Sequence, residues 1–278
     1  KEHISIYEVN ETSIADDSTI TGFILRDEKV VYSEESGYVN FYHADQSKVG
    51  KNEVIYTIDD NGSVSELLDD VETETRTTKD DITKMREVIE DFYTNFNPST
   101  YYDVKDFHYN VENTIFEQSR DNLYSDLKKQ MSENNIKSDF SKFRAQTSGI
   151  ISYSIDGFEE TTLDMVTTEL FQNAASVERK QLSSSEHIEK KVPVCKLVTN
   201  EDWKIVLPLS EGLSVKLQDT TTVRVTIKKD NVSFNTALEI QNNGGTEFAV
   251  LSTSRFMGRY LNDRFIDIEL NLNAANGF

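Results

Sequence analysis

The sequence predicts an elongated α+β chain, in which a β-sandwich is split by an inserted antiparallel α-helical hairpin and is followed by a small antiparallel β-barrel. Three observations predict it. A short pattern occurs twice, the stretch between its copies changes its apolar period, and everything after the second copy reads as strand. The repeat is Ser36-Gly37-Tyr38-Val39-Asn40-Phe41-Tyr42, which returns as Ser148-Gly149-Ile150-Ile151-Ser152-Tyr153-Ser154. Further along, Val49-Gly50-Lys51-Asn52-Glu53-Val54-Ile55-Tyr56-Thr57-Ile58 is echoed without a gap by Ile188-Glu189-Lys190-Lys191-Val192-Pro193-Val194-Cys195-Lys196-Leu197. Serine, glycine and then alternating apolar positions describe a strand that starts from a tight turn, because side chains alternate faces and glycine permits φ > 0. Solenoid repeats have periods of roughly 20 to 50 residues, so two copies about 110 apart point to one module divided by an insertion.

The 278 residues are enough for one large domain or a few small ones, and a hydrophobic share of 37% favours several thin modules over one thick core. Acidic residues outnumber basic ones 49 to 29, giving a formal charge of −20. Nucleic acid and anionic lipid surfaces would be repelled, so neither is expected as a general partner. Cys195 is the single cysteine. It stands where the repeat expects an apolar strand residue, so it reads as a buried small hydrophobe and leaves no disulfide framework or zinc cluster. No apolar run of about 18 residues occurs and no signal peptide is visible. The chain starts at Lys1 and stops at Phe278 shortly after a strand-like run, so it reads as a trimmed piece whose lack of an anchor carries no weight.

Residues 1–25 hold strand-like pieces, among them Ile4–Tyr7 and Ile20–Leu25, with Val30–Tyr32 following, all expected as edge strands. The first half-module, residues 26–62, closes at the turn signal Asp59-Asp60-Asn61-Gly62. From Ser63, which with Glu66 makes a capping box, the apolar period becomes about 3.5. Val64, Leu68, Val71, Thr75, Thr78, Ile82, Met85, Ile89, Phe92 and Phe96 alternate steps of four and three. That is the a/d stripe of a coiled-coil helix. Asn97-Pro98-Ser99 ends it, since the residue before a proline avoids the helical conformation. A second helix is expected through Phe107, Val111, Ile115, Leu123, Leu127 and Met131, so residues 63–140 form a projecting hairpin. The second half-module spans 141–200, with a polar loop at about 158–185 holding a short helix near Leu163–Val166. Strands then follow from Trp203 to Leu272, with Asn243-Gly244 as a hairpin signal, and residues 201–278 form a C-terminally truncated barrel.

These modules, in this order, resemble the HlyD-like membrane fusion proteins, or periplasmic adaptor subunits, of efflux and secretion transporters. The resemblance runs from about Gly22 to Phe278. It is carried by Arg26–Ser33 leading into Ser36-Gly37-Tyr38-Val39, by the hairpin, by the second half from Ser148, and by Asp202-Trp203-Lys204-Ile205-Val206-Leu207-Pro208. Arg259-Tyr260-Leu261-Asn262-Asp263-Arg264-Phe265-Ile266-Asp267-Ile268-Glu269-Leu270 is similar to the Gram-positive subgroup. The resemblance implies a lipoyl-like sandwich and an N-terminal helix holding the protein at the extracytoplasmic face of the membrane. It also implies a transporter permease of ABC or RND type as partner, self-association, and no chemistry or cofactor of the protein's own. The hairpin tip, Phe96, Asn97, Pro98, Ser99, Tyr101 and Tyr102, is the expected partner-binding patch, and Gly37 and Gly149 are the structural turn glycines. Gram-negative adaptors carry an Arg…Leu…Ser pattern at the tip that is lacking here, which disfavours an outer-membrane duct as partner. The alternative function is a structural or scaffolding protein of the cell envelope, linked to division, that reuses the adaptor fold.

Enzymatic and metal readings find little support. Lipoyl carriers present a modified lysine at the tip after the first half-motif, where this chain has Ile58-Asp59-Asp60-Asn61-Gly62; Lys48 lies in an earlier turn. Asp59, Asn61 and Ser63 suggest calcium, but an EF-hand loop starting at Asp59 would need glycine at position six and glutamate at twelve, where Val64 and Asp70 stand. His3, His43, His108 and His187 have no paired ligand spacing. Ser183-Ser184-Ser185-Glu186-His187 is a polar loop rather than a triad. Over residues 59–91 acids outnumber bases twelve to four, so Asp69-Asp70 and Asp80-Asp81 read as a solvated helix face, and Glu159-Glu160 as part of a polar loop. Asn61-Gly62-Ser63 and Asn231-Val232-Ser233 match glycosylation acceptors and receive no role.

Overall fold

Two strands that nothing interrupts set the layout. Between Thr19 and Tyr32 there is one glycine and no proline, and the chain stays extended throughout as β1 (Thr19–Tyr32). Polar Arg26-Asp27-Glu28-Lys29 therefore joins two apolar pieces that the sequence suggested were separate strands. β10 (Pro193–Pro208) likewise unites the end of the second half-module with the Trp203 strand. The computed structural model describes residues 19–64, 67, 79–95, 127, 129–133, 140–172, 174 and 177–272. It divides into two units, and β1 and β10 contribute to both.

The first unit, Asp27–Glu160 with Glu178–Glu201, contains the repeat. Its strands are β2 (Gly37–Phe41), β3 (Lys48–Val49), β4 (Val54–Asp59), β5 (Phe140–Arg144), β6 (Gly149–Ser152), β7 (Ser154–Ile155), β8 (Lys180–Gln181) and β9 (His187–Ile188). One sheet runs β5-β4-β2-β9, while β6 lies between β3 and β10. The two copies fold alike. Val39 opposes Ile58 in the first, and their counterparts Ile151 and Leu197 oppose each other in the second. Each half also lends a strand to the other, since Gly37 pairs with Ile188 and Gly149 with Val49.

The backbone repeats this exchange bond for bond. Val39 donates its N–H to the Glu186 carbonyl at 3.0 Å and accepts from Ser185 at 2.7 Å. Ile151 donates to Ser47 at 3.0 Å and accepts from Gln46 at 2.8 Å. Gln46 and Ser185 both take left-handed φ, 67° and 69°, as do Asn52 and Lys191 one turn later, at 71° and 67°. Ser33 bonds Val192 and Lys191, and Ala145 bonds Glu53 and Asn52, in the same manner. At the centre Phe41 stacks on its counterpart Tyr153, ring centroids 3.9 Å apart. Val39, Val49, Ile55, Ile58, Ile151, Ile188, Val194, Cys195 and Leu197 fill one shared core.

The second unit gathers Thr19–Arg26, Thr161–Val177 and the chain from Asp202. After β10 come α3 (Glu211–Leu217), β11 (Thr222–Ile227), β12 (Val232–Asn243), β13 (Thr246–Thr253) and β14 (Phe265–Asn271), with α1 (Lys79–Asn95) and α2 (Thr168–Gln172) earlier in the chain. The strand order is β1-β14-β11-β12-β13-β10, and β1 also pairs with β10. Period-two alternation decides what is buried: Val223, Val225 and Ile227 on β11, and Ile266, Ile268 and Leu270 on β14, turn inward. The β12–β13 hairpin turns on Gly244 and Gly245, both with positive φ, one residue later than the Asn-Gly signal suggested.

The middle of the polar loop expected in the second half-module, Thr161–Val177, belongs to this unit, and a short helix stands near Leu163–Val166 as expected. Leu163–Met165 is a short 3₁₀ turn and α2 (Thr168–Gln172) follows. Val166 is buried, Phe171 packs on Phe248 and Phe265, and Asn243 donates its side-chain N–H to the Leu163 carbonyl at 2.8 Å.

Glycine is required at both repeat starts for different reasons. Gly37 has φ 152°, and a Cβ there would collide with the Asp59 carbonyl. Gly149 has no unusual φ, yet its Cβ would stand 2.6 Å from the Val198 carbonyl oxygen. Alanine at either position should destabilise the protein by about 1–3 kcal/mol. Gly212, inside α3 with nothing near its Cβ position, should instead gain about 0.5–1 kcal/mol as alanine. Urea unfolding midpoints of the three variants check this ordering.

Candidate functional site: the root of the helical excursion

The chain leaves the sandwich after β4 and returns at β5, so the residues at this gap decide how the excursion is held. Asp59, the last residue of β4, is buried, and its Oδ2 accepts the Val64 N–H at 2.7 Å. A carboxylate there satisfies an amide of the first helical turn that would otherwise lack a partner. Burial pushes the Asp59 pKa upward, and the Val64 and Gly62 amides oppose that shift. Asn61 accepts from both the Ser63 amide and hydroxyl.

Ser63, Val64 and Leu67 are helical, as are Leu127 and residues 129–133 on the return path. Val64, Leu67, Leu127 and Met131 form one apolar cluster with Tyr42, against which Val54 and Phe140 pack. Both ends of the excursion therefore grip each other and the sandwich. Between them, α1 (Lys79–Asn95) carries Ile82, Met85, Ile89 and Phe92 of the a/d stripe. Ile82 is exposed and the other three are half-buried. The tip residues Phe96, Asn97, Pro98, Ser99, Tyr101 and Tyr102 lie outside the described residues, as do Glu66 and the stretch from Phe107 to Leu123 that was expected to form a second helix.

The other candidates are absorbed by local structure. Asp59, Asn61 and Ser63 are engaged in the turn, and among the described residues no group of three or more His, Cys, Asp or Glu is placed to hold a metal. His43 bonds the Val54 carbonyl at 3.1 Å and His187 packs edge-on against Tyr38. His3 and His108 fall outside the described residues. Ser184 accepts from the Phe41 amide and Ser183 donates its own amide to Glu186, so this serine run is spent on a turn. Lys48 is exposed on β3. Cys195 is buried with its thiol pKa pushed up by desolvation, which keeps it protonated and unreactive.

Sequence reasoning missed the most polar feature of the sandwich. Lys196 is buried on β10, with Nζ 3.1 Å from Glu28, 3.1 Å from Glu159 and 3.9 Å from Asp156, all three carboxylates themselves buried. Glu159 also accepts the Asp156 and Gly157 amides, so the 156–159 turn is folded around the ion pair. A signal existed in the repeat, because Lys196 is the counterpart of Thr57, another buried polar residue, bonded to the Tyr42 hydroxyl at 3.0 Å. Breaking such a pair strands buried charge. Lys196→Met should lose about 3–5 kcal/mol of stability, and adding Glu28→Gln should recover part of it. Equal denaturation midpoints for wild type and Lys196→Met would contradict this account.

Comparison with known proteins bears on the same residues. Residues 28–200 match the family described as RND related, barrel-sandwich hybrid domain. No curated protein matches. Similar solved structures include ZneB from Cupriavidus metallidurans, at 9% identity and TM-score 0.45, covering 93% of this chain and 99% of that one. A putative efflux transporter from Bacteroides eggerthii has 14% identity, TM-score 0.37 and coverages of 95% and 73%. The membrane fusion protein Spr0693 from Streptococcus pneumoniae has 14% identity, TM-score 0.32 and coverages of 91% and 97%. Because the matched span exceeds half of the sequence and coincides with the divided sandwich, the chain belongs to the RND-related barrel-sandwich hybrid family.

Proposed function

We propose that the protein is a non-enzymatic, membrane-anchored adaptor on the extracytoplasmic face of the cell membrane. It pairs with an efflux or secretion permease of ABC or RND type and reaches an outer partner through a helical hairpin. The observation that carries this reading is the root, where Val64 and Leu67 on the outgoing path share one buried cluster with Leu127 and Met131 on the return. A segment clamped at both ends by apolar burial is held as an arm and does not behave as a free linker.

In this reading residues 63–140 form the antiparallel hairpin, and Phe96, Asn97, Pro98, Ser99, Tyr101 and Tyr102 form its contact tip. Amphipathic rings at such a tip suit a protein interface. The six strands of the second unit would close into a small barrel, since β1 pairs with both β14 and β10. An N-terminal helix outside this sequence would supply the anchor. Among the described residues no helix is long and apolar enough to cross a membrane.

A photocrosslinking residue placed at Tyr101 in the full-length protein tests the reading in cells. Capture of a transporter component, or of a protein that co-purifies with the permease, is the expected result. Capture of division or wall-synthesis proteins alone would replace it with a scaffolding role.

A further inference from the structure

Asn61-Gly62 and Asn243-Gly244 are the two asparagine-glycine pairs among the described residues, and the fold treats them in opposite ways. In such a pair the glycine has no side chain to shield its own nitrogen, which can therefore reach the asparagine carboxamide carbon. At Asn61, in the turn where the excursion leaves β4, Oδ1 accepts the Ser63 amide at 3.1 Å and the Ser63 hydroxyl at 2.7 Å. A side chain bonded to the amide two residues ahead is folded back along the peptide between them, which brings the Asn61 carboxamide carbon towards the Gly62 nitrogen. The two donors on Oδ1 also stand where negative charge develops when that carbon is attacked. A base is at hand. The Gly62 amide lies close enough to the Asp59 carboxylate to favour its charged form, and Oδ1 of that carboxylate is buried without a hydrogen-bond partner. Burial raises the Asp59 pKa, which makes its carboxylate a stronger base. Asn61 itself is exposed, so a leaving group departs into water. Asn243 is held the other way round. Its side-chain nitrogen donates to the Leu163 carbonyl at 2.8 Å and to the Val166 carbonyl at 3.4 Å, which anchors the very group that would have to leave.

We infer that the turn Asp59 to Ser63 is a self-modifying site, at which the Gly62 nitrogen closes on the Asn61 side chain and converts Asn61 to aspartate or isoaspartate. Asp59 takes the proton of the Gly62 amide as that nitrogen forms a bond to Asn61 Cγ, and the Ser63 amide and hydroxyl hold the developing charge on Oδ1. The Cγ–Nδ2 bond then breaks, and Nδ2 leaves as ammonia, carrying the proton that Asp59 had taken. A cyclic imide remains. Water adds to either of its carbonyls, giving aspartate by one opening and isoaspartate by the other, with no change of oxidation state. Isoaspartate places an extra methylene in the backbone between β4 and the first helical turn, the stretch that the bond from the Val64 amide to Asp59 spans. The modification therefore acts on the root of the excursion.

The consequence for an arm rests on the adaptor reading, whereas the chemistry does not, and the two fail separately because capture at Tyr101 does not depend on Asn61. The test is peptide mass spectrometry of the full chain after incubation, either folded in neutral buffer or unfolded in guanidinium chloride at the same pH. Conversion adds about 1 Da to the peptide that holds Asn61, and an isoaspartate methyltransferase labels the isoaspartate form. Folded wild type should convert Asn61 about tenfold or more faster than the unfolded chain does, and should convert Asn243 more slowly than the unfolded chain. Asp59→Asn should slow the folded reaction at Asn61 about tenfold or more and leave the unfolded rate unchanged. Should Asp59→Asn fail to fold, the wild-type comparison decides alone. Asn61 converting no faster in the folded chain than in the unfolded one overturns the inference, as does folded Asp59→Asn converting like wild type. Equal folded rates at Asn61 and Asn243 overturn it too.

Discussion

The fold depends on a strand exchange between two half-modules. β9, from the second copy, pairs with Gly37, and β3, from the first, pairs with Gly149. Neither half completes its sheets without the other, so a chain excursion between them can be accommodated without dividing the core. Loop closure grows only slowly more costly with length, and the exchanged backbone bonds fix the halves wherever the intervening chain goes. This lets a β-module serve as the base of a long inserted segment. The clamp formed by Asp59, Val64, Leu67, Leu127 and Met131 then sets where that segment starts and ends.

Around this exchange the polar interior is arranged in pairs as well. Thr57 and Lys196 occupy equivalent buried positions, the first satisfied by one hydroxyl and the second by three carboxylates. A buried lysine so surrounded is costly to desolvate, and it is retained here where Glu28 of β1, the 156–159 turn and β10 converge. In the second unit two buried arginines cap carbonyls: Arg26 donates to Tyr260 at 2.7 Å and Arg264 to Ile24 at 3.1 Å. The stretch that carried the subgroup resemblance, Arg259 to Leu270, is thus a packing corner, reinforced by Tyr260 bonding Asp230 and by the Lys229–Asp263 ion pair.

Much of this was legible in the residues. The repeat announced the sandwich because glycine, alternation and turn residues recur at matching positions, and the strands of the second unit followed from clean period-two patterns. Other features left no such trace. Lys196 sits between Cys195 and Leu197, and a single charged residue in a strand ordinarily reads as facing out; only the match to Thr57 hinted otherwise. The 158–185 loop looked polar since its apolar anchors, buried Val166 and half-buried Phe171, are few and find partners 77 to 94 residues away in β12, β13 and β14. The left-handed backbone of Phe256, φ 61°, has no local signature, because phenylalanine is not a turn former and the groups around the corner, Trp203, Phe234 and Arg259, are brought there by the fold.

Native-state hydrogen exchange at the amides of Val39 and Ile151 tests the central claim most directly. Their bonds, to Glu186 and Ser47, are equivalent and each crosses from one half to the other. A single interlocked module requires both amides to exchange through one shared opening, with equal free energies and equal denaturant dependence. If one half opens and exchanges while the other stays protected, the halves are independent bodies and the account is wrong.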